Sequence, residues 1–387
     1  MNNSYEVILT EEQRMIRDTV RAFAEKEVRP LARKIDADHY FPQELIPKLA
    51  ENGFLGVNVS ENYSGAGLDY VSYSIIVEEL ARVCASTSVI VSAHNSLCLS
   101  PINSFGSDAQ KKKYLPALAS GKQLGCFALS EPGTGSDATR QTCTAKRNGS
   151  EWVINGVKNW ITNAPVSDTC VLFAMQNPEL GAKGIVALII ELKQDQGITI
   201  GKLEDKLGIC GSPTASISFD DVHVPADRLL GQEADGFKIA MQTLDGGRCG
   251  IAAQATGIAQ AALDDALRYS TERKAFGKEI SEHQSIQNYL ADMSVRVSAA
   301  RLLTWQASSL KDKKLPYGRE AAQAKLFASE ASVENALKAI QIHGGYGYVK
   351  EFNVERYLRD AKITEIYEGT SEIQRLVIAR SLLKDGL

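Results

Sequence analysis

Glu368 stands in the run Ile366-Tyr367-Glu368-Gly369-Thr370-Ser371-Glu372, with Ile363 ahead of it and the apolar stretch Ile373 to Leu383 behind it. A carboxylate beside glycine in an apolar wall loses hydration, so its pKa rises and it becomes suited to general-base work. The same run also reads as a helix start, with Thr370 or Ser371 as the N-cap and Glu372 in the first turn. A second group is Gly133-Thr134-Gly135-Ser136-Asp137-Ala138, which follows a strand-like run with the spacing of a dinucleotide-binding loop. An Asn-Gly hairpin comes next where that motif needs a helix, so the βαβ context fails. The glycines can still bring backbone N–H groups to a phosphate, or simply form a turn. A third group is Arg273-Lys274-Ala275-Phe276-Gly277. It can clamp an anion such as a pyrophosphate, or end a helix in solvent.

Other chemistries find little support. His39, His94, His223, His283 and His343 have no paired spacing, so no metal site is expected. There is no GxSxG elbow, and Cys126 and Cys249 sit in apolar surroundings that suit packing better than nucleophilic attack. The seven cysteines are odd in number and contain no CxxC, which argues against a disulfide framework and for a reducing compartment. The 387 residues imply two or three domains. With 43 Lys and Arg against 47 Asp and Glu, the net charge of −4 gives no electrostatic case for nucleic acid. No basic stretch leads into an apolar run at the N-terminus, and no apolar stretch reaches the roughly 18 residues of a membrane helix. The expectation is therefore a protein without a membrane span, in the cytoplasm, or in the mitochondrial matrix if the chain is a mature form.

The elements that must position these groups fall into three blocks. Thr10 and Gln13 form a capping box with Leu9 as a staple, and Ile16, Val20 and Phe23 repeat on one helical face. A second helix is predicted from Pro42 to Asn52, stopped by Gly53, and a third from near Val71. From Leu124 to about Val224 the signals are those of strands: the turn dipeptides Asn148-Gly149 and Asn155-Gly156, the run Ile185 to Leu192, and the alternation of Ala215, Ile217 and Phe219. Helix returns near Gly236. Ile286, Leu290, Met293 and Val297 share one face, as do Leu326, Val333, Leu337 and Ile340, and Gly344-Gly345 closes the latter helix. The fold class is mainly α with a central β-barrel or sandwich: a helical domain over 1–121, a β domain over 122–232 and a helical bundle over 233–387.

Six blocks taken in order resemble the acyl-CoA dehydrogenase family over essentially the whole chain. They are Cys126 to Asp137, Asn159-Trp-Ile-Thr-Asn163, Leu244-Asp-Gly-Gly-Arg248, Arg273 to Gly277, Gln341-Ile-His-Gly-Gly345 and Ile366 to Arg375. The wording is most similar to the short-chain, butyryl-CoA branch, notably over Lys202 to Gly208 and Gly236 to Asp245. The resemblance implies a helical, β-barrel, helical architecture, non-covalent FAD, a homotetramer, and α,β-dehydrogenation of an acyl-CoA thioester with electrons passing to an electron-transferring flavoprotein. It implies that Phe127, Ala128, Leu129, Ser130, Ser136, Trp160, Ile161 and Thr162 line the flavin. It assigns Arg273, Phe276, Gln284, Gln341, Ile342, Gly344 and Gly345 to the FAD tail of a neighbouring subunit, and Thr370 and Glu372 to FAD near the reacting centre. Ser136, Asp245, Arg248 and Gly369 would contact the CoA thioester, and Glu368 would be the base.

Departures narrow the expectation. The isovaleryl-type members of that family place their base at the position of Gly247 and lack it at Glu368, the reverse of this chain. Between Val83 and Phe105 there is no Arg or Lys to pair the terminal carboxylate of a glutaryl group. His343 replaces the usual apolar residue of its motif. Competing readings are the same chemistry on a branched or alicyclic acyl-CoA, an acyl-CoA oxidase, and a flavoprotein-fold binding subunit without turnover. Retention of Glu368, Trp160 and Arg248 together argues against the last.

Overall fold

The computed structural model describes residues 7–385. Residues 1–6, part of the stretch read for a targeting signal, and residues 386–387 lie outside them. The capping box forms as predicted: Gln13 N–H donates to Thr10 Oγ1 at 3.2 Å, and Thr10 N–H donates to Gln13 Oε1 at 3.0 Å. It opens α1 (Glu11–Phe23), followed by α2 (Arg29–Ala37), α3 (Leu45–Glu51), α4 (Tyr70–Ala81), α5 (Ala85–Ser92), α6 (Ser100–Phe105) and α7 (Asp108–Ala119). The helix expected from Pro42 begins only at Leu45, because Gln43 and Leu45 N–H groups first bond the Phe41 and Pro42 carbonyls in a tighter turn. All of α4 is buried. Its first N–H groups are held by carboxylates, Ser72 by Asp69 at 2.7 Å and Tyr70 by Asp312 at 2.7 Å.

Strands occupy the middle of the chain: β1 (Gly125–Ala128), β2 (Thr144–Asn148), β3 (Glu151–Thr162), β4 (Thr169–Met175), β5 (Ile185–Glu191), β6 (Ile198–Ile200) and β7 (Thr214–Pro225). They form one seven-stranded sheet in the order β1-β4-β2-β3-β7-β6, with β5 paired to β4. β4 and β5 are buried at every residue, which is why both read as unbroken apolar runs and not as alternation. Around them Cys126, Trp152, Ile154, Leu172 and Ile217 build a separate core.

Asn148-Gly149 makes the predicted turn, with Asn148 opposite Glu151. Asn155-Gly156 does not. It lies inside β3, where the register against β7 shifts between Ile154 and Gly156. Gly156 takes φ +138°, and a Cβ there would stand 2.6 Å from Cys143 Cα. The glycine permits close strand approach at a bulge and does not reverse the chain.

The C-terminal part is built on α8 (Gly236–Glu272), 37 residues and so about 55 Å long. A short hairpin, β8 (Lys274–Ala275) and β9 (Lys278–Glu279), leads into α9 (Gln284–Asp312), α10 (Gly318–His343), α11 (Val354–Lys362) and α12 (Ser371–Asp385). The face expected on α10 is corrected by the packing. Leu337 is 49% exposed and Leu326, Val333 and Ile340 are only partly covered, whereas Ala321, Ala324, Lys325, Ala328, Ser332, Asn335 and Ala339 are buried. Small side chains let α10 lie close along α8, where Asn335 Nδ2 reaches Ala259 O at 3.4 Å, and turn the bulkier ones outward.

Gly156→Ala is expected to destabilise the protein by about 2–4 kcal/mol, from a backbone conformation open mainly to glycine plus overpacking against Cys143, just ahead of β2. Denaturant unfolding followed by tryptophan fluorescence measures it, and a loss under about 1 kcal/mol would contradict the close approach.

Candidate active site

Glu368 and Gly369 adopt left-handed backbone, φ 52° and φ 91°, in the turn that precedes α12. The turn is held through its carbonyls. Gln374 Nε2 donates to Gly369 O at 2.8 Å and to Glu368 O at 3.3 Å, and buried Lys325 Nζ donates to Gly369 O at 2.8 Å. Thr370 Oγ1 accepts from Ile373 N–H at 3.3 Å, so the helix cap anticipated in this run is made, but by Thr370. Glu368 takes no part in it. Its N–H donates to no group among the described residues, and its Oε2 is shut off from solvent without a hydrogen-bond partner. Burial pushes the Glu368 carboxyl up to about 7, against the opposing pull of Lys325 and Arg248.

The wall opposite is a strip of α8 without side chains. A Cβ on Gly247 would collide with Glu368 Oε2, one on Gly250 with Tyr73 and Ser92, and one on Gly246 would lie 2.5 Å from Lys311 Nζ. One turn further on, Gln254 ends the strip. It is fully buried, donates to Ala85 O at 3.0 Å and accepts from the Tyr367 hydroxyl. Arg248 is buried beside this strip, with Nη1 2.5 Å from Asp245 Oδ1 and Nε unpartnered. Burial raises the Asp245 carboxyl against Arg248 and Lys311.

A second group lies on the sheet. β3 shifts register again between Lys158 and Ile161, and Trp160, 59% exposed, takes φ 60° there. The bulge re-aims a large aromatic ring outward. The loop after β1 runs beside it, joined by Asn159 N–H to Ser130 O at 2.9 Å. At Gly133 and Gly135 nothing crowds the backbone, and Ser136 is exposed. Phe127 is partly exposed, while Ala128, Leu129 and Ile161 are buried, so contacts from those three positions are left to their backbones.

Both segments hang on one buried cation. Lys158 Nζ bonds Leu129 O at 3.0 Å, Glu131 Oε1 at 2.9 Å and Gln141 Oε1 at 3.1 Å, with Lys158 and Glu131 both fully buried. Burial raises the Glu131 carboxyl, but Lys158 and Thr142 outweigh it and hold it below the usual carboxylate range.

A third group lines a cavity of about 560 Å³ that includes Arg273, Ile342, His343, Gly344 and Gly345. The Arg273 guanidinium lies 5.6 Å from the centre of the Tyr346 ring. His343 stacks on Tyr269 at 4.2 Å, with Nδ1 2.8 Å from Ala339 O, which gives its place in the motif a packing reason. Phe276 projects from the β8–β9 hairpin, 96% exposed, and Gln284 and Gln341 are exposed outside that lining.

The structure thus brings together Glu368, Gly369, Asp245 and Arg248 around α8, and separately the sheet segments and the Arg273 cavity. Glu372 is exposed in the first turn of α12, where its own backbone N–H and Thr370 hold its carboxyl below the usual range. Sequence reading missed Lys158, Lys325 and the close of the strip by Gln254. Lys325 left one signal, a lysine on the all-small face of α10.

This combination, a buried carboxylate against a bare helix with an outward-facing tryptophan on a bulged sheet, fits abstraction of a carbon-bound proton beside a flat cofactor. Three family models match the chain: the acyl-CoA dehydrogenase N-terminal domain over residues 10–122, the middle domain over 126–222 and the C-terminal domain over 234–383. The chain belongs to the acyl-CoA dehydrogenase family. It is 54% identical to the short-chain specific acyl-CoA dehydrogenase, mitochondrial, of Bos taurus, over 98% of this chain and 92% of that one. It is similar to butyryl-CoA dehydrogenase from Megasphaera elsdenii at 44% identity and TM-score 0.95, over 97% of this chain and 99% of that one. It is also similar to a chain in a structure of the electron transferring flavoprotein of Acidaminococcus fermentans, at 48% identity and TM-score 0.96, with 97% and 99% covered.

Lys158→Met is expected to cost about 3–5 kcal/mol, because it leaves the Glu131 carboxylate buried without its cation. Urea unfolding of the purified variant checks this. A midpoint matching the parent protein's would show that the pair is not needed.

Proposed function

We propose that this chain is an FAD-dependent dehydrogenase of short-chain acyl-CoA thioesters, with Glu368 as the base that removes the α-proton. The observation that carries the reading is Glu368 Oε2, shut off from solvent and unpartnered, facing the bare strip of α8 at Gly247. The residues present fit a flavin. Trp160 offers a flat exposed ring beside the open Gly133–Ser136 loop, and the uncrowded Gly344 and Gly345 adjoin Arg273, a charge suited to a pyrophosphate. Phe127 to Ser136 and Trp160 to Thr162 would hold the ring system, with Thr370 and Glu372 near it. Arg273, Phe276, Gln284 and Gln341 to Gly345 would hold the tail of a neighbouring subunit's FAD. The chemistry FAD supplies when bound is acceptance of a hydride from the β-carbon.

The chain's own residues do the rest. The α-proton becomes removable when negative charge developing on the thioester oxygen meets a fixed donor. The free Glu368 N–H, turned by its left-handed backbone, is such a donor. Glu368 Oε2 takes the proton itself. Arg248 and Lys325 oppose the burial that would keep the base protonated. Asp245, Arg248, Gly369 and Ser136 would position the thioester. The acyl chain lies along Gly247 and Gly250. Gln254 closes that strip about 10 Å along the helix, which suits few carbons.

The partner chains belong to the same proposal. Leu302, Phe327 and Leu337 present apolar surface on α9 and α10 that a homotetramer would cover, and electrons would leave to an electron-transferring flavoprotein. Among the described residues no helix is long and apolar enough to cross a membrane. The seven cysteines are all unpaired, which suits the reducing cytoplasm or a mitochondrial matrix.

Glu368→Gln is expected to slow flavin bleaching by butyryl-CoA by roughly 10²–10⁴-fold, because it removes the proton acceptor and keeps the N–H. Anaerobic stopped-flow decides this, and reduction within about threefold of the parent rate would remove Glu368 from the chemistry. In the parent enzyme the base works only ionised, so kcat/KM should fall as pH drops below about 7, the value to which burial lifts Glu368. Arg273→Ala should weaken FAD binding by roughly tenfold to a hundredfold through loss of a charge-assisted contact, read by flavin fluorescence on titration of apoprotein.

A further inference from the structure

Lys325 is a fully buried lysine in the middle of α10, where the neighbouring buried residues from Ala321 to Ala339 are alanine, serine and asparagine. An ammonium in such a place is costly unless its charge is used. Among the described residues its Nζ makes one hydrogen bond, to Gly369 O at 2.8 Å, the carbonyl of the residue after the base. That carbonyl belongs to the second of two consecutive left-handed residues, the first being Glu368 itself, a non-glycine residue held at φ 52°. The bond therefore holds the C-terminal end of the turn that carries the Glu368 N–H and its carboxylate.

We propose that Lys325 is a positioning residue for the dehydrogenation, holding the Glu368–Gly369 turn through Gly369 O while its charge favours the ionised form of the base. The inference rests on the reading of Glu368 as the base.

The charge balance around the pair supports it. Burial drives Glu368 toward its neutral form, and Lys325 is the larger of the two cations that oppose this, ahead of Arg248 on α8. The same burial draws Lys325 down to about 8, against the pull of Glu368, Glu365 and Glu372, with Arg248 acting in the same direction as burial. From α4, Tyr70 and Tyr73 face this region, and Tyr367 precedes the base. All three phenols are held neutral by burial. Arg248 is already drawn to Asp245, 2.5 Å away, whereas Lys325 has no carboxylate of its own within ion-pair distance among the described residues. Of the two cations that act on Glu368, Lys325 is thus the one not committed to a carboxylate of its own.

The test uses the FAD-loaded enzyme and three variants, Lys325→Met, Lys325→Gln and Lys325→Arg. Two pH titrations are recorded on each: flavin bleaching by butyryl-CoA, and the protonated-carboxyl infrared band of Glu368, isolated by subtraction of the matching Glu368→Gln protein. Loss of the cation favours neutral Glu368, so both midpoints should move up in the Met variant by roughly one to three units. Bleaching near pH 6 should then fall by about tenfold for each unit. Gln keeps a donor for Gly369 O without the charge and should show the upward shift. Arg keeps the charge and should hold the midpoint near the parent's. Midpoints for Met and Gln within about 0.3 unit of the parent's would overturn the proposal. So would three variants that all fail to fold or to hold FAD, since Lys325 would then serve folding alone. Failure of the base assignment is distinguishable, because Glu368→Gln would then bleach normally whatever happens at Lys325.

Discussion

A carboxylate withdrawn from water keeps its proton unless nearby positive charge gives it a reason to lose it. That competition at Glu368 is the constraint on which the rest of the structure depends. The turn must bury the carboxylate, so it packs against α8. Helix α8 must offer no side chain there, so Gly247 stands opposite. The charge that restores ionisation must come from elsewhere, and it comes from α10 through Lys325 and from α8 through Arg248. Each element is doing something its neighbours cannot. A bare strip makes room but supplies no charge, and a buried lysine supplies charge but needs the close helix packing that alanines allow.

The sheet solves a different problem, presenting a large aromatic ring to solvent without losing its own core. Trp160 sits between Asn159 and buried Ile161, at a register shift that turns it outward. A bulge at that place is tolerable because Lys158, two residues earlier, is tied on three sides to the β1 loop and its neighbours. Removing the lysine would free the strand and the glycine-rich loop together. The ion pair stabilises little beyond what an apolar pair of equal volume would. What it adds is a fixed relation between two surface segments that face one flat ligand.

Much of the fold was legible because it is local. The Thr10 capping box, the buried β4 and β5 runs and the alternation along β7 follow from residue periodicity. The Glu368 run also showed itself, since an acid beside glycine in an apolar stretch is rare enough to notice. Where the sequence misled, the missing information was tertiary. Asn155-Gly156 has turn chemistry, but Cys143 lies so close that the glycine is needed for space. Leu326 and Leu337 look like a core stripe on α10, but α8 is lined with glycine and alanine and accepts only a small face. Lys158 and Lys325 are ordinary lysines until the chain is folded, because their partners lie 27 and 44 residues away.

The position of the base is itself informative. Residue 247 on α8 and residue 368 ahead of α12 come so close that a single Cβ at the first would touch the carboxylate of the second. A carboxylate could therefore be supplied from either backbone, but the two sites would not be equivalent. From α8 it would be anchored on a regular helix whose N–H groups are already spent on the i−4 carbonyls. From the turn, the same residue offers its side chain as proton acceptor and its unspent N–H as donor to the substrate oxygen. Base and electrophile then move as one rigid unit, and a clamp on the following carbonyl positions both. That coupling is what the left-handed backbone at Glu368 makes available, and it is a physical reason for this chain to bear the strain there and leave glycine on the helix.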